Sequence, residues 1–316
     1  MKKLAIVALA AACVIGSTAA AQAAQTRTLP TGETLYAVDC QNEVGQLVST
    51  NVTDGTFTAI GTGTPDSHIS CAADSAYDPN SGFAYFTAWN GAPNGFFKVD
   101  PATGVETYLG DVSGQIDSAD IDDVGTLLMG TDSRLFALVY DNGGENLHLG
   151  QLDITTGAYT EIAGVTVSGT QYSSRNVWGG SYNPADGKFY FVNSQNELYS
   201  LDIATGAATL IGDNPASTFW SIAFDSNGTI WSTGNGTLDS ATVAGWANSG
   251  DTEETSTTTL DGSNWYSESN FVAYNVATPA VPTLAKTGGE SPMPLAILGA
   301  TAIAIGVASV RRRKTA

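Results

Sequence analysis

The chain has 316 residues, of which 31 are acidic and 12 are basic, and its formal net charge at pH 7 is −19. A surface of this sign repels nucleic acid and anionic polymers, so nucleic acid is excluded as a partner. The chain has only two histidines and three cysteines, and no cluster of them has the spacing of a zinc site. Charge and composition therefore favour a solvated extracellular protein.

The N-terminus has the three parts of a secretory signal peptide. Two lysines precede an apolar stretch at residues 4–15, and small residues follow it. We expect cleavage near Ala23 or Ala24, so that residues 1–24 are removed as the chain is secreted. Cys13 lies in the removed segment.

Cys40 and Cys71 are the cysteines that remain after this cleavage. Two cysteines in an exported domain most often pair, which predicts a disulfide. The bridge would close a loop of about 30 residues and would stabilise the fold by ~3 kcal/mol in the chain-entropy model. The alternative is a pair of buried free thiols.

Short apolar runs alternate with Gly, Thr, Ser, Asn and Asp along the body of the chain, a composition typical of strands and turns. One repeated sequence motif, or phrase, occurs four times. It consists of a predicted strand, an Asp or Asn, a turn that contains Gly, a second predicted strand and a final Gly. Its copies span residues 47–61, 96–110, 149–164 and 198–212. Each copy predicts a β-hairpin.

A second repeated phrase contains an aromatic residue or Ile, then Asp or Asn, then a turn and a strand. The Asp or Asn positions are Asp78, Asp122, Asn183, Asp225 and Asn275. The residues just before them are Tyr77, Ile121, Tyr182, Phe224 and Tyr274. We expect these preceding residues to face the core.

Together the two phrases give a four-stranded unit of about 42–61 residues, which is the size of a β-propeller blade. The segment 34–40 begins a unit that lacks its first strand, whereas 270–275 is a first strand without a unit. Pairing these two ends closes a ring. We therefore predict an all-β, five-bladed β-propeller over residues 25–276, with a β-sandwich as the alternative architecture. The four complete units begin near residues 73, 117, 178 and 220.

The C-terminus carries four features in a fixed order. They are an LAKTG motif (Leu284, Ala285, Lys286, Thr287 and Gly288), a spacer at 288–294, an apolar run at 295–310 and a basic end at 311–316. Sixteen helical residues extend ~24 Å, and flanking arginines that snorkel help such a helix to span a hydrocarbon core of ~30 Å. The basic end should stay cytoplasmic. This pattern predicts one transmembrane helix in the precursor.

The tail resembles the sorting signal of Gram-positive cell-wall-anchored proteins, in the LAxTG variant of the LPxTG motif typical of high-GC Gram-positive bacteria. The resemblance implies that sortase cleaves between Thr287 and Gly288 through an acyl-enzyme, which an amine of a peptidoglycan precursor resolves. The protein is then a sortase substrate, held in the membrane before sorting and displayed on the cell wall afterwards. Residues 277–287 would form a short stalk. A plain single-span membrane anchor is the alternative.

No catalytic constellation is recognisable in the sequence. His68 and His148 each stand alone, whereas hydrolytic chemistry needs an acid, a base and a nucleophile together. We therefore assign no catalytic residue and interpret the protein as non-enzymatic. The acids at 117–123 offer oxygen ligands, but they do not match the EF-hand loop pattern. We assign no cofactor, and Ca²⁺ remains an alternative.

One set of repeat positions is unlike a protein core. The residues five before each repeated Asp or Asn are Ala73, Asp117, Trp178, Trp220 and Asn270. Loops before the innermost strands of a propeller line one mouth of its channel, and indoles beside polar groups suit sugar rings. We predict that Asp117, Trp178, Trp220 and Asn270 bind a ligand, either an extracellular glycan or a protein. The alternative is packing between blades.

Three functions are compatible with these features. The main hypothesis is a surface-displayed binding or adhesion module without enzymatic activity. A wall-bound carbohydrate-active or lyase-type enzyme is the second, and it rests on fold analogy alone. A structural wall component with no specific ligand is the third.

Overall fold

A computed structural model describes most of the chain between residues 27 and 274. The described ranges are 27–39, 46–61, 72–88, 95–116, 119–141, 145–174, 176–213, 219, 221–234, 237–246, 253–256 and 270–274. The chain divides into two compact units, Met1–Val276 and Ala277–Ala316, and all described residues belong to the first. No helix in these ranges is long and apolar enough to cross a membrane.

Several predicted features lie outside the described residues and stay predictions. They are the signal peptide, both cysteines of the predicted disulfide, the stalk, the LAKTG motif, the spacer, the apolar run at 295–310 and the basic end.

The first three sheets follow one another along the chain. Blade one contains β1 (Thr34–Asp39), β2 (Gln46–Thr50) and β3 (Phe57–Ala59). Blade two contains β4 (Ala72–Asp78), β5 (Phe83–Ala88), β6 (Gly95–Val99) and β7 (Glu106–Asp111). Blade three contains β8 (Gln115–Ile116), β9 (Ala119–Met129), β10 (Leu135–Asp141), β11 (Leu147–Leu152) and β12 (Tyr159–Gly164).

Two more sheets complete the described fold. Blade four contains β13 (Thr166–Val167), β14 (Thr170–Gln171), β15 (Val177–Asn183), β16 (Lys188–Asn193), β17 (Glu197–Leu201) and β18 (Ala207–Asp213). Blade five contains β19 (Ala223–Phe224), β20 (Thr229–Gly234), β21 (Thr237–Thr242), the short helix α1 (Val243–Trp246) and β22 (Glu253–Ser256). The last strand, β23 (Asn270–Ala273), returns to blade one.

The two ends of the fold meet in blade one, as predicted. Strand β23 pairs antiparallel with β1, from Thr34 opposite Ala273 to Ala37 opposite Asn270. The C-terminal strand therefore supplies the innermost strand of a blade whose other strands are N-terminal. This closure protects both terminal strands from the edge-to-edge pairing that drives aggregation.

The five sheets form a closed ring. Their innermost strands contact one another in the cyclic order β4, β9, β15, β19, β23 and back to β4. A β-sandwich would place two sheets face to face instead, so that alternative is wrong. The prediction of an all-β, five-bladed propeller is confirmed.

The hydrophobic core consists of layers between neighbouring blades. Phe96 of blade two packs in one cluster with Leu127 and Val139 of blade three, and Leu138 of blade three packs in another with Phe191 of blade four. Similar clusters join blade four to five, five to one and one to two. Each blade thus buries both faces of its sheet, which explains why the middle strands read as nearly continuous apolar runs.

The repeated Asp/Asn-Gly phrase forms one turn four times. In each copy the glycine N–H donates to the Asp or Asn carbonyl oxygen at 2.8–2.9 Å, and a side-chain oxygen of that residue accepts the backbone N–H two residues later at 2.8–2.9 Å. The hydroxyl and then the backbone N–H of Thr155 lower the pKa of Asp153, and the backbone N–H of Ala204 and then the hydroxyl of Thr205 lower that of Asp202. These acids are therefore structural. The four Asp or Asn residues are Asn51, Asp100, Asp153 and Asp202.

Glycine is required at this turn for two reasons, which Gly206 illustrates. Its φ is +71°, a conformation that side chains disfavour. A Cβ at Gly206 would also lie 2.5 Å from the carbonyl oxygen of Gly164 in the preceding blade. The glycine of this repeat is therefore required by close backbone contact between neighbouring blades.

Blade three departs from the predicted repeat. The sequence predicts a turn after Asp122, but Asp122 lies inside the continuous strand β9 and the prediction is wrong. The turn occurs later, where the Gly130 N–H donates to the carbonyl oxygen of Arg134 at 3.1 Å. Gly130 therefore takes the place of the repeated Asp or Asn, and Met129 rather than Ile121 takes the place of the preceding aromatic residue.

Candidate functional site

The innermost strands enclose a narrow cavity on the axis of the ring. Residues from all five of these strands line it. Its volume is about 20 Å³, and one water needs about 10–15 Å³. The described part of the channel therefore has room for one or two waters or a slender chemical group, but not for a sugar ring.

Two of the positions five residues before the repeated Asp or Asn share a structural feature. Ala73 and Trp178 each lie at a β-bulge in the pairing of their innermost strand. In blade three the matching bulge falls at Gly125, since Thr126 pairs with Leu138 and Val124 with Val139. Gly130 takes the place of the repeated Asp or Asn in blade three, and the residue five positions before it is also Gly125. Gly125 rather than Asp117 is therefore the equivalent of Trp178 in this blade. A bulge redirects a side chain near a strand end.

The structure places two of the four predicted ligand-binding residues. Trp178 is half-buried at its bulge and does not line the cavity, whereas Asn270 is 1% exposed and does line it. Asp117 and Trp220 lie outside the described residues. The structure therefore does not bring these residues together into a described site.

Asn270 belongs to a buried polar network that we call the polar clasp: Asp74, Thr126, Ser221 and Asn270. Asp74 accepts hydrogen bonds from the Thr126 hydroxyl, from the Leu127 N–H at 2.8 Å and from the Ser221 hydroxyl at 3.3 Å. The Ser221 oxygen in turn accepts the N–H of Asn270 at 3.2 Å. The clasp therefore joins blades two, three, five and one.

Both the side chain and the backbone of Asn270 make further hydrogen bonds. Its Oδ1 accepts the Thr233 hydroxyl, and its Nδ2 donates to the Thr233 carbonyl at 3.4 Å. Its backbone carbonyl accepts the Ser75 hydroxyl at 3.0 Å. These bonds tie the C-terminal strand to blades five and two. Asn270 thus has a structural role in closing the ring.

Asp74 is the electrostatic centre of the clasp. It is completely buried, and burial raises its pKa to about 7 although the hydrogen bonds from Thr126 and Leu127 favour the charged form. A buried carboxyl with a perturbed pKa is a common mark of an active site. Asp74 does not line the cavity, however, so its donors and burial indicate a structural acid.

The other end of the channel is aromatic. Tyr77, Tyr182 and Tyr274 line the cavity from blades two, four and one, and we call this set the tyrosine cup. Asp74 and Asn270 lie near the first residues of strands β4 and β23. Tyr77 is the residue before the last of β4, and Tyr274 directly follows the last residue of β23. The polar clasp and the tyrosine cup are therefore at opposite ends of the channel.

The phenol hydroxyls of the tyrosine cup have no hydrogen-bond partner among the described residues. Tyr77 and Tyr182 are half-buried, and Tyr274 is 9% exposed. Burial, then the nearby phenols of Tyr182 and Tyr77 and the carboxylate of Glu33, raise the pKa of Tyr274. The expectation that these tyrosines face the core is thus only half right, because they also line the channel.

His148 has a structural environment in blade three. It is 7% exposed, its Nδ1 lies 2.8 Å from Glu161 Oε1, and its Nε2 lies 4.0 Å from Asp141 Oδ2. His68 lies outside the described residues. Within the described ranges no three His, Cys, Asp or Glu side chains group in a way that could hold a metal ion.

The polar clasp and the tyrosine cup are the features that sequence reasoning missed. The partners of Asp74 lie 52 to 147 residues away along the chain, so no local pattern identifies them. The tyrosines did carry a signal, because Tyr77, Tyr182 and Tyr274 occupy one repeat position. Aromatic residues at that position indicate a core position, whereas the structure also places them on the lining of the channel.

Comparisons with known proteins assign the chain to no family. The sequence matches no protein-family profile and no curated protein. The solved structures to which the chain is similar include the following three. A chain of a nidogen/laminin complex is 10% identical with a TM-score of 0.48, and the match covers 77% of this chain and 99% of that one.

The other two structures are bacterial. TolB from Acinetobacter baumannii is 13% identical with a TM-score of 0.46, covering 78% of this chain and 68% of its own. Regucalcin from Agrobacterium tumefaciens, a calcium-binding protein, is 15% identical with a TM-score of 0.38, and the match covers 71% of this chain and 73% of that one. These low scores carry no argument about function. The assignment of the chain as a five-bladed β-propeller rests on its own strand pairing.

Proposed function

We propose that this protein is an exported sortase substrate that displays a non-enzymatic, ligand-binding β-propeller on the cell wall. One observation supports the anchoring: the C-terminal sequence carries LAKTG, a spacer, an apolar run and a basic end, in that order. The closed ring supports the binding part, because it encloses a cavity that is lined by the innermost strands of all five blades.

The position of the ring in the chain supports display. The last described strand ends at Ala273, and the Pro- and Thr-containing segment 277–287 follows it. The ring contains its own core clusters and its own closure between β1 and β23. Residues 25–287 are therefore the unit to purify for binding and stability measurements.

The enzymatic alternative lacks an accessible acid in the described channel. Asp74 has the raised pKa that a general acid needs, but it is buried and does not line the cavity. Ca²⁺ stays an alternative ligand from the sequence alone, and the described residues contain no group of His, Cys, Asp or Glu side chains that could hold it.

Cell fractionation tests the anchoring. We expect the wild-type protein to remain in the wall fraction after detergent extraction and to be released by a peptidoglycan hydrolase. Thr287→Ala should move it to the membrane or the medium, whereas the matched control Thr283→Ala, just outside the motif, should leave it in the wall. Release of the wild-type protein by detergent alone would mean that the tail is only a membrane span.

Glycan binding is tested separately with purified residues 25–287 on a glycan array. The predicted channel-mouth site requires binding above background that Trp178→Ala and Trp220→Ala reduce. Binding that both variants retain would exclude this mouth as the glycan site and return Trp178 to blade packing.

A further inference from the structure

The tyrosine cup has three properties of a ligand site that the glycan hypothesis does not use. Its hydroxyls come from three different blades, and they have no hydrogen-bond partner among the described residues. Aromatic surface surrounds them, since Phe224 and Phe271 line the same cavity. Phenols without partners beside aromatic rings can both accept hydrogen bonds and attract a cation.

Ring contacts hold Tyr77 and Tyr274 of the cup in place. Phe271 stacks on Tyr77 with centroids 6.0 Å apart and on Tyr36 with centroids 4.9 Å apart. The Tyr77 ring also meets Tyr274 edge-on at 6.0 Å. The cup is therefore preorganised, which reduces the entropy that a ligand must overcome on binding.

The electrostatic field at the cup favours a positive ligand. The carboxylates of Glu33 and Asp78 contribute to the raised pKa of Tyr274. Three of the four basic side chains in the described ranges are engaged elsewhere: Arg27 with Ser240, Arg134 with Asp132 and Lys98 over the Phe83 ring. The whole chain carries an excess of acids, so a cation is attracted from a distance as well.

The cavity is too narrow for a bulky cation. Room for one or two water molecules suits an ammonium group at the end of an unbranched chain, but not a quaternary ammonium with four methyl groups. A primary ammonium also has three N–H donors, and the cup offers three phenol oxygens as acceptors.

We propose that the tyrosine cup binds a primary alkylammonium group, with its nitrogen donating to the hydroxyls of Tyr77, Tyr182 and Tyr274. The group belongs either to a free amine or to a lysine side chain of a polypeptide. This inference deepens the proposed binding function by naming a ligand class for the channel. It is independent of the wall anchoring and of the predicted glycan site.

The test is a titration of residues 25–287, labelled on the tyrosine rings, with n-butylammonium chloride at constant ionic strength and followed by NMR. We expect saturable shifts of the three cup tyrosines. Neutral n-butanol, of the same length, should bind at least about 10-fold more weakly because it lacks the charge. Tetramethylammonium should not compete. Equal binding of n-butanol, or no saturation with n-butylammonium, would overturn the proposal.

Hydroxyl deletions locate the site. Tyr182→Phe keeps the ring and should weaken n-butylammonium binding about 10-fold, the usual effect of losing one hydrogen bond to a charged group. The matched control is Tyr108→Phe, which removes an exposed hydroxyl that bonds Asp111 at 2.7 Å on an outer strand. An equal loss in both variants, or no loss in Tyr182→Phe with an unchanged melting temperature, would contradict the assignment.

A second arm identifies the source of the amine. Nα-acetyl-lysine methylamide is compared with n-butylammonium on the same protein. Tighter binding of the lysine derivative would assign the cup to lysine side chains of polypeptides, and equal binding would assign it to free amines. A failure of both amines with retained glycan binding would reject this inference and leave the proposed function standing.

Discussion

At one end of the channel, Asp74 and Asn270 are buried and each is hydrogen-bonded to several groups from other blades. At the other end, Tyr77 and Tyr182 are half-buried residues whose hydroxyls have no hydrogen-bond partner among the described residues. Polar side-chain atoms thus bond to protein groups at one end of the channel, and lack a described protein partner at the other. Buried polar groups that satisfy one another specify how blades meet, whereas accessible and unsatisfied groups remain available to a ligand.

The largest effect should come from removing the central acid of the clasp. Asp74→Ala leaves the Thr126 hydroxyl, the Leu127 N–H and the Ser221 hydroxyl without their acceptor in a buried site. We expect a loss of about 3–5 kcal/mol in the free energy of unfolding, measured by urea denaturation of residues 25–287.

The matched control is Asp132→Ala, because Asp132 is an exposed acid paired with Arg134. It should cost less than about 1 kcal/mol. If both variants lost the same small amount, the clasp would not hold the blades together.

The pH dependence of stability should reveal the same acid. Burial raises the pKa of Asp74 from 3.8 to about 7, so the folded protein binds this proton more tightly than the unfolded chain does. This contribution to stability is fully present below pH 3.8 and is lost as the pH rises to about 7. Three pH units at ~1.4 kcal/mol each set an upper limit of about 4 kcal/mol.

The comparison is between the wild type and Asp74→Asn, which keeps the shape but does not titrate. The difference in unfolding free energy between the two should change across pH 4–7 in favour of Asp74→Asn as the pH rises. A difference that stays constant over this range would show that Asp74 has an ordinary pKa.

A smaller loss should follow when the seam between the chain ends is weakened. Asn270→Ala removes the acceptor of the buried Thr233 hydroxyl and the donor to the Thr233 carbonyl. We expect a loss of about 2 kcal/mol in the free energy of unfolding. Asn80→Ala is the control, since Asn80 joins blades two and three through the Thr131 carbonyl at an exposed position. It should cost clearly less than Asn270→Ala, and the reverse order would contradict the role of the seam.

The smallest effect on stability should come from the tyrosine cup. Tyr182→Phe removes a hydroxyl without a described partner, so the free energy of unfolding should stay within about 0.5 kcal/mol of the wild type. Tyr190→Phe removes a hydroxyl that donates to Asp186 at 2.6 Å and should cost about 1 kcal/mol. A larger loss in Tyr182→Phe than in Tyr190→Phe would show that the cup is structural.

The sequence predicted the parts of this fold that depend on local chemistry. Each Asp/Asn-Gly turn is closed by its own backbone and side-chain bonds, as with Asp202 and Gly206, so its residues repeat in every copy. The apolar segments 34–40 and 270–275 also predicted how the ring closes, because each is an incomplete part of a four-stranded unit and together they complete one. The number of blades followed from both.

The sequence failed where packing between blades decides the outcome. Strand β9 continues through Asp122 although the local pattern of acids and glycine indicates a turn, and only the pairing with β10 shows its register. The polar clasp joins residues from four blades, so its members have no common spacing. The predicted ligand-binding set stays a prediction: Asn270 lines the cavity and is buried, Trp178 is half-buried, and Asp117 and Trp220 lie outside the described residues.

The most direct test of the difference between the two ends is a crystal structure of residues 25–287 soaked with n-butylammonium. We predict density for the ammonium nitrogen about 3 Å from the hydroxyls of at least two of Tyr77, Tyr182 and Tyr274, with Asp74 and Asn270 still bonded to one another through Ser221. An ammonium bound at the Asp74 end, or cup hydroxyls bonded to other protein groups, would contradict this account.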